Sequence, residues 1–239
     1  MQKIIKGLLI GLSVLSIASC TKTDNYPGPN AGFMGNVKDK TDPKGANLLT
    51  ETNGFQIKLE ELSWSATPAP QTIPAKPDGT FEDTQLFSGH YRVTPIGGAF
   101  WPVAPIEMDI NKGNNNSRDF QVTPYMKIYN FTATLDGTTL VMHFQLDAPI
   151  TEGLPNILDV QPFVNITPYV GSGATVPDYT NNNKLSINAP WSNDMATKVY
   201  EIRVPNMKSG RQFYVRAGVR VDDSYKAFNY SEIVPVQVP

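Results

Sequence analysis

Apolar and polar residues change places with a period of two in segment after segment of this chain, and that period dictates what it can become. Phe55, Ile57 and Leu59 alternate with Gln56, Lys58 and Glu60, and Ile106, Met108 and Ile110 alternate with Glu107, Asp109 and Asn111. Tyr129, Phe131, Ala133 and Leu135 repeat the pattern, as do Leu140, Met142, Phe144 and Leu146. So do Tyr200, Ile202 and Val204, then Phe213, Val215, Ala217 and Val219, and finally Val234, Val236 and Val238. Successive side chains of a strand point to opposite faces, so each such segment buries one face and wets the other. Residues 32–39, 90–95 and 118–122 read as further strands. Stacking such faces gives an all-β sandwich.

Turn residues punctuate the strands. The chain has 20 Pro and 18 Gly, with Asn in short runs at Asn114-Asn115-Asn116 and Asn181-Asn182-Asn183. Asp136-Gly137 lies between two alternating runs, a strong hairpin signal, and Asp78-Gly79 marks a turn ahead of Thr80-Phe81. Residues 63–77 hold Pro68, Pro70, Pro74 and Pro77, which predicts a long surface loop. A length of 239 residues at 40% hydrophobic supports two cores of about 100 residues each. Pro124 interrupts the pattern between Val122 and Tyr129 and sets the expected boundary, giving units at 30–122 and 125–239.

The first 19 residues obey a different rule. Lys3 and Lys6 precede an apolar run from Gly7 to Ile17, and the small residues Ala18 and Ser19 lead into Cys20. This is the build of a secretory signal peptide. Its apolar run is shorter than the roughly 20 residues needed to span a bilayer. Cys20 is the chain's one cysteine, so no intrachain disulfide can form. Ile17-Ala18-Ser19-Cys20 resembles the lipobox of bacterial lipoproteins. The resemblance implies a diacylglycerol on the Cys20 thiol, cleavage that leaves Cys20 as the N-terminus, and a membrane partner held through several acyl chains. Residues 20–29 form a polar, Pro/Gly-containing tether. Without Lys3 and Lys6 the chain carries 18 basic against 22 acidic residues, a net charge of −4. No cluster of Lys or Arg offers the surface that nucleic acid requires.

Within 30–122, Pro77-Asp78-Gly79-Thr80-Phe81 followed by Leu86-Phe87-Ser88-Gly89-His90-Tyr91-Arg92-Val93 resembles the carboxypeptidase-regulatory, transthyretin-like domain. That implies a seven-stranded sandwich without peptidase activity. Within 125–239, the run from Met207 to Ala217 resembles the entry to strand F of fibronectin type III domains. Phe144 falls where that family places a buried Trp. Phe213 stands at its tyrosine-corner position without a hydroxyl, and Ser209 replaces the usual Pro. Beyond the lipobox, Asp24-Asn25-Tyr26, Pro29-Asn30-Ala31, Lys76 to Phe81, Gly98-Ala99-Phe100 and Val122 to Tyr125 are together similar to a Bacteroidetes lipoprotein family of unknown function. That resemblance implies a lipid-anchored place on the outer membrane, exposed at the cell surface. It also implies the company of a TonB-dependent transporter and its glycan-binding lipoprotein.

Chemistry is sparse. His90 and His143 have no metal-type spacing and no free Cys beside them. Glu60-Glu61, Glu82-Asp83 and Asp222-Asp223 are adjacent pairs, so their members point to opposite faces and do not form a glycosidase dyad. No G-x-S-x-G elbow and no phosphate-binding glycine loop occurs. No catalytic residue, metal or cofactor is therefore expected. What remains is aromatic. Flat rings stack on the apolar faces of sugars, and Trp64, Trp101 and Trp191 lie in or beside predicted loops, where binding residues concentrate. They are the candidate ligand-binding residues, for a polysaccharide or oligosaccharide. The competing reading is a structural module that braces a transporter without touching glycan.

Overall fold

The computed structural model describes residues 27–239; the expected signal peptide, 1–19, and Cys20 lie outside the described residues. Eight strands form the N-terminal sandwich: β1 (Ala31–Asp39), β2 (Gln56–Glu61), β3 (Gln71–Pro74), β4 (Thr80–Leu86), β5 (Gly89–Ile96), β6 (Ile106–Ile110), β7 (Gly113–Ser117) and β8 (Phe120–Val122). One sheet runs β4-β1-β7, with β8 continuing alongside β1, and the other runs β3-β2-β5-β6. Between them lie Phe33, Ile57, Leu59, Phe81, Tyr91, Val93 and Phe120. The Phe33 and Phe81 rings meet at 5.3 Å, an edge-tilted packing that aromatic quadrupoles favour.

Three sequence expectations change here. The Pro-rich stretch is only partly loop, because Gln71–Pro74 pairs with β2 as β3 and buries Ile73. Pro74 is tolerated since β3 is an edge strand, where a missing N–H costs no ladder bond. The Asn114-Asn116 run is not a turn but the middle of β7, parallel to β1. Asn116 earns that place through its amide. Its Nδ2 donates to the Gly32 and Asn111 carbonyls at 2.9 and 2.8 Å, and its Oδ1 accepts from Asn111 N at 2.8 Å. The seven strands implied by resemblance become eight because the chain breaks at Arg118, splitting one edge into β7 and β8.

The C-terminal sandwich comprises β9 (Lys127–Asp136), β10 (Thr139–Asp147), β11 (Ile157–Asn165), α1 (Pro177–Asn181), β12 (Leu185–Ala189), α2 (Asp194–Thr197), β13 (Tyr200–Val204), β14 (Gln212–Val221), β15 (Phe228–Tyr230) and β16 (Val234–Gln237). A three-stranded sheet, β13-β10-β9, faces a sheet ordered β12-β11-β14-β15, with β16 also on β14. The two sheets make a second β-sandwich. The Asp136-Gly137 turn joins β9 to β10 in register, Asp136 opposite Thr139. Phe144 is fully buried and stacks on Tyr200 at 5.7 Å. Phe213 is buried where a tyrosine corner would sit, and the missing hydroxyl comes from elsewhere. Tyr179 of α1 packs edge-on to Phe213 at 5.8 Å, and its hydroxyl accepts from Lys208 N at 3.1 Å.

Strand directions give the molecule two poles. β1 begins and β4 ends together, Ala31 opposite Leu86, and Leu62 N donates to His90 O across the end of β2. The chain therefore enters at one pole, beside the Phe87-Ser88 turn, the 62–70 loop and the 111–112 turn. Asp39, Thr50, Ala99 and Val122 lie toward the other pole, and that is where the C-terminal sandwich attaches.

Candidate functional site

The attachment begins with short covalent geometry and ends in a buried polar cluster. Trp101 N donates to Thr123 O at 2.9 Å and Tyr125 N to Ala99 O at 3.1 Å, so the two halves share a bridge of backbone. Asn229 of β15 is buried beneath it. Its Nδ2 donates to Ala99 O at 2.8 Å and its Oδ1 accepts from Met126 N at 3.0 Å. Lys127 reaches back to Asp39, 3.0 Å, and Thr41, 3.1 Å. Across the junction Arg216 of β14, 1% exposed, donates from Nη1 to Thr50 O at 2.7 Å and lies 3.6 Å from the Tyr230 ring centroid. Burial lowers the Arg216 pKa to about 10, so the group stays charged at neutral pH. Glu51 then clasps the 166–176 loop: its carboxylate accepts from Ser172 Oγ at 2.6 Å and Gly173 N at 2.9 Å.

That clasp positions an exposed aromatic ring. Tyr169, 64% exposed, stands on the clasped loop, whose start is held by Asn165 Nδ2 donating to Tyr169 O at 2.9 Å. Tyr169 lines a groove of about 560 Å³ between the domains, with Pro74, Ala75, Pro77 and Pro168 as apolar walls and Asn53, Lys76, Asp78 and Glu82 among its polar groups. It adjoins a second hollow of about 250 Å³, which shares Thr52, Asn53, Pro77 and Tyr169 and ends on Glu51 and Gly173. Lys76, Pro77 and Asp78, the first half of the Lys76-to-Phe81 motif, thus form one wall of the groove. Asp78 Oδ1 accepts from Thr80 N and Oγ1 at 3.1 and 2.7 Å. Burial pushes the Asp78 pKa up, but these bonds outweigh it and leave the carboxyl below its ordinary value. It is an ionised acceptor, unsuited to donating a proton near neutrality. Lys76 Nζ pairs with Glu82 at 3.0 Å. A ring and the polar groups of Asn53, Lys76, Asp78 and Glu82 thus line one hollow, the combination that a sugar's apolar face and hydroxyls call for. On the opposite side of the junction Tyr225, 60% exposed, flanks a smaller hollow of about 190 Å³ with Asp223, Ser224 and Val103.

The three tryptophans do not meet. Trp64 is 88% exposed on the 62–70 loop at the far pole. Trp101 lies in the junction, edge-on to Tyr125 at 5.1 Å, and its buried Nε1 has no hydrogen-bond partner among the described residues. Trp191 is half-buried against the C-terminal core. Tyr169 and Tyr225 carried no sequence signal, because an isolated Tyr in an irregular loop reads like any other surface residue.

The acidic pairs are absorbed locally. Glu60 pairs with Lys58 at 2.9 Å, Glu61 accepts from Ser63 N, and Asp83 accepts from Gln85 N. Asp222 pairs with Lys226 and Asp223 accepts from Lys226 N. Among the described residues, no group of three or more His, Cys, Asp and Glu gathers as a metal site. His143 bonds Glu201 at 2.9 Å.

His90 Nδ1 lies 2.7 Å from Asp109, with Glu107 at 3.6 Å from Nε2. The Asp109 hydrogen bond, more than the Glu107 charge, raises its pKa above the ordinary value. A raised cation pKa adds stability below the unfolded value, and that stability is lost as pH rises through the folded midpoint. An NMR titration should place the His90 midpoint above about 6.5, and Asp109→Asn should bring it back down. An unchanged midpoint in the variant would contradict the pairing.

Two family models cover this architecture. Residues 31–123 match the DUF3823 protein of unknown function N-terminal domain, and residues 126–235 match the domain of unknown function DUF3823_C. Among solved structures, a DUF3823 family protein from Bacteroides uniformis superimposes with a TM-score of 0.76 at 22% identity, covering 88% of this chain and 100% of that one. A second Bacteroides uniformis protein, provisionally named as carbohydrate binding, gives 0.73 at 22% identity with the same coverage. A DUF3823 family protein from Parabacteroides merdae gives 0.67 at 19% identity, again covering 88% and 100%. Comparison with curated proteins returned no match.

Proposed function

The chain belongs to the DUF3823 family, and on that premise we propose that it is a non-catalytic lipoprotein of the outer membrane that binds glycan. It would be held by lipid on Cys20 at the cell surface and serve a TonB-dependent transporter and its glycan-binding partner. The observation that carries the reading is the Tyr169 groove: an exposed ring on the loop that Glu51 clasps, lining a largely apolar hollow with Pro74, Pro77 and Pro168 into which Asn53, Lys76, Asp78 and Glu82 bring polar groups. The naming of one structural neighbour as carbohydrate binding supports it. So does the engagement of the groove's carboxylates by neighbours, Asp78 by Thr80 and Glu82 by Lys76, which suits them to holding hydroxyl groups. A single stacked ring contributes about 1 kcal/mol, so each site binds weakly and gains strength from many anchored copies facing one polymer.

The test is affinity electrophoresis against a panel of polysaccharides. The wild type should be retarded by at least one polymer, and Tyr169→Ala should weaken that retardation about fivefold, as about 1 kcal/mol implies. Its stability should stay within about 0.5 kcal/mol, because the ring is exposed. Undiminished retardation of the variant would remove Tyr169 from the site. In cells, Cys20→Ala should abolish incorporation of labelled palmitate; label on the variant would overturn the anchor. The bracing reading has one observation in its favour, the buried Arg216 junction that makes the two sandwiches one body. It prevails if no polysaccharide retards the wild type.

A further inference from the structure

The pole opposite the C-terminal domain combines three features that the glycan groove does not use. The first is the entry of the chain. Asn30 is clamped there: its N donates to Leu86 O at 2.9 Å, its O accepts from Gly113 N at 2.8 Å, and its Oδ1 accepts from Ser88 N at 2.8 Å. The second is Trp64, 88% exposed, on a loop anchored by Leu62 N to His90 O at 2.7 Å and His90 N to Ser63 Oγ at 2.9 Å. The third is Phe87, 47% exposed, in the turn whose backbone Asn30 holds. Two large aromatic rings therefore project from the end at which the tether arrives.

The tether is short. Asn30 is ten positions after Cys20, a span that at full extension reaches no more than about 36 Å. Any bilayer holding Cys20 therefore lies within one tether length of this end. The loop chemistry suits such a neighbour. Residues 63–70 read Ser-Trp-Ser-Ala-Thr-Pro-Ala-Pro, without a charge, and Trp is the side chain whose apolar body and N–H suit the boundary between headgroups and acyl chains. The charged groups around the pole include Glu61, Asp83, His90, Glu107, Asp109 and Lys112, of mixed sign. Glu61 and Asp109 are already bonded to Ser63 N and His90. None of the described grooves is lined by Trp64 or Phe87.

We propose that this pole is a lipid-facing surface, with Trp64 and Phe87 seated in the headgroup region of the bilayer that holds Cys20. Docking here stands the two sandwiches upright and directs the Tyr169 groove away from the membrane. The inference rests on the lipid anchor proposed above. It is tested with the mature full-length protein in phosphatidylethanolamine–phosphatidylglycerol vesicles whose acyl chains are brominated at the carbons nearest the headgroup, which quench only tryptophan at that depth. Wild-type fluorescence should be quenched relative to unbrominated vesicles, and Trp64→Phe, which keeps a ring in the loop, should lose most of that quenching. Mass spectrometry of the same sample reads the lipid on Cys20. Lipid present with equal quenching in wild type and Trp64→Phe, or with none in either, overturns the docking and leaves the anchor standing. An unmodified Cys20 overturns both. Loss of polysaccharide retardation on Trp64→Ala, with no quenching of the wild type, reassigns the ring to a glycan site and also overturns the docking.

Discussion

Arg216→Ala should lower stability by about 3–5 kcal/mol, measured by urea denaturation, and split a single transition into two. The size follows from what the side chain fills. A fully buried large residue leaves a void on truncation, and large-to-Ala changes in cores cost about 3–5 kcal/mol. The Thr50 carbonyl would lose its Nη1 donor, and an orphaned buried acceptor costs about 1–3 kcal/mol. Relief of an expensive burial offsets part of this, since Nε and Nη2 have no partner among the described residues. The offset predicts a contrast. Arg216→Met keeps most of the volume and discards the charge, so it should cost no more than about 1–3 kcal/mol, the orphaned carbonyl alone. The split transition follows because Arg216 sits on β14 and Thr50 in the N-terminal domain. A variant within 1 kcal/mol of wild type, unfolding in one step, would show that the junction does not depend on this residue. The folded pKa of about 10 and the higher unfolded value both lie above neutrality. The group is protonated in both states there and should add no slope to stability between about pH 5 and 8.

Gly35→Ala is the other large effect. A Cβ at this position of β1 would lie 1.9 Å from the Arg118 carbonyl oxygen, 2.8 Å from the carbonyl carbon and 2.8 Å from the Phe81 ring. Arg118 is where the edge passes from β7 to β8, and its N donates to Met34 O at 3.0 Å. The obstacle is backbone, so relief means parting β1 from one of two parallel partners, Ser117 opposite Met34 or Phe120 opposite Val37. Ordinary overpacking costs about 1–3 kcal/mol. With no flexible side chain to yield, about 3 kcal/mol or more is expected here, read as a fall in the urea midpoint. Gly137 is the control. It has nothing within 4 Å of its would-be Cβ, and φ is +60°, so Ala there should cost only about 1 kcal/mol through the backbone. Equal losses at the two sites would refute the close-approach account of Gly35.

Most strands legible in sequence have one wet face, and β14, whose Phe213, Val215, Ala217 and Val219 alternate although Arg216 between them is buried too, is the exception. β2, β6, β9, β10, β13 and β16 alternate because solvent lies on one side of them, and the Asp136-Gly137 turn closes its hairpin in the expected register. β11 was silent because it is covered on both sides. Val160 and Val164 face the main core, while Phe163 packs on Phe228 and Tyr230 on the other face, so its residues do not alternate. β3 hid behind its prolines, and β7 hid behind an Asn run whose amide bonds become visible only once Gly32 and Asn111 are beside it.

The candidate site shows the same division more sharply. Trp64, Trp101 and Trp191 shared one sequence signature, a large ring in or beside a loop. Packing gave them three environments: a solvent-facing pole, the junction and the flank of a core. Tyr169 had no signature, because its role depends on Glu51, over a hundred residues earlier, fixing the loop beneath it.

The all-β class, the Asp-Gly turns and the residues that must turn inward follow from local period and local backbone chemistry, and so are written in the chain. What covers each second face is set only when distant segments pack together. Arg216 lies on the β14 face opposite Phe213, Val215 and Ala217, and period two alone assigns it to water. The N-terminal domain instead covers it, and Thr50 and Tyr230 receive its guanidinium. Periodicity records which side of a strand is which, while burial of the outer side depends on a surface contributed from distant sequence.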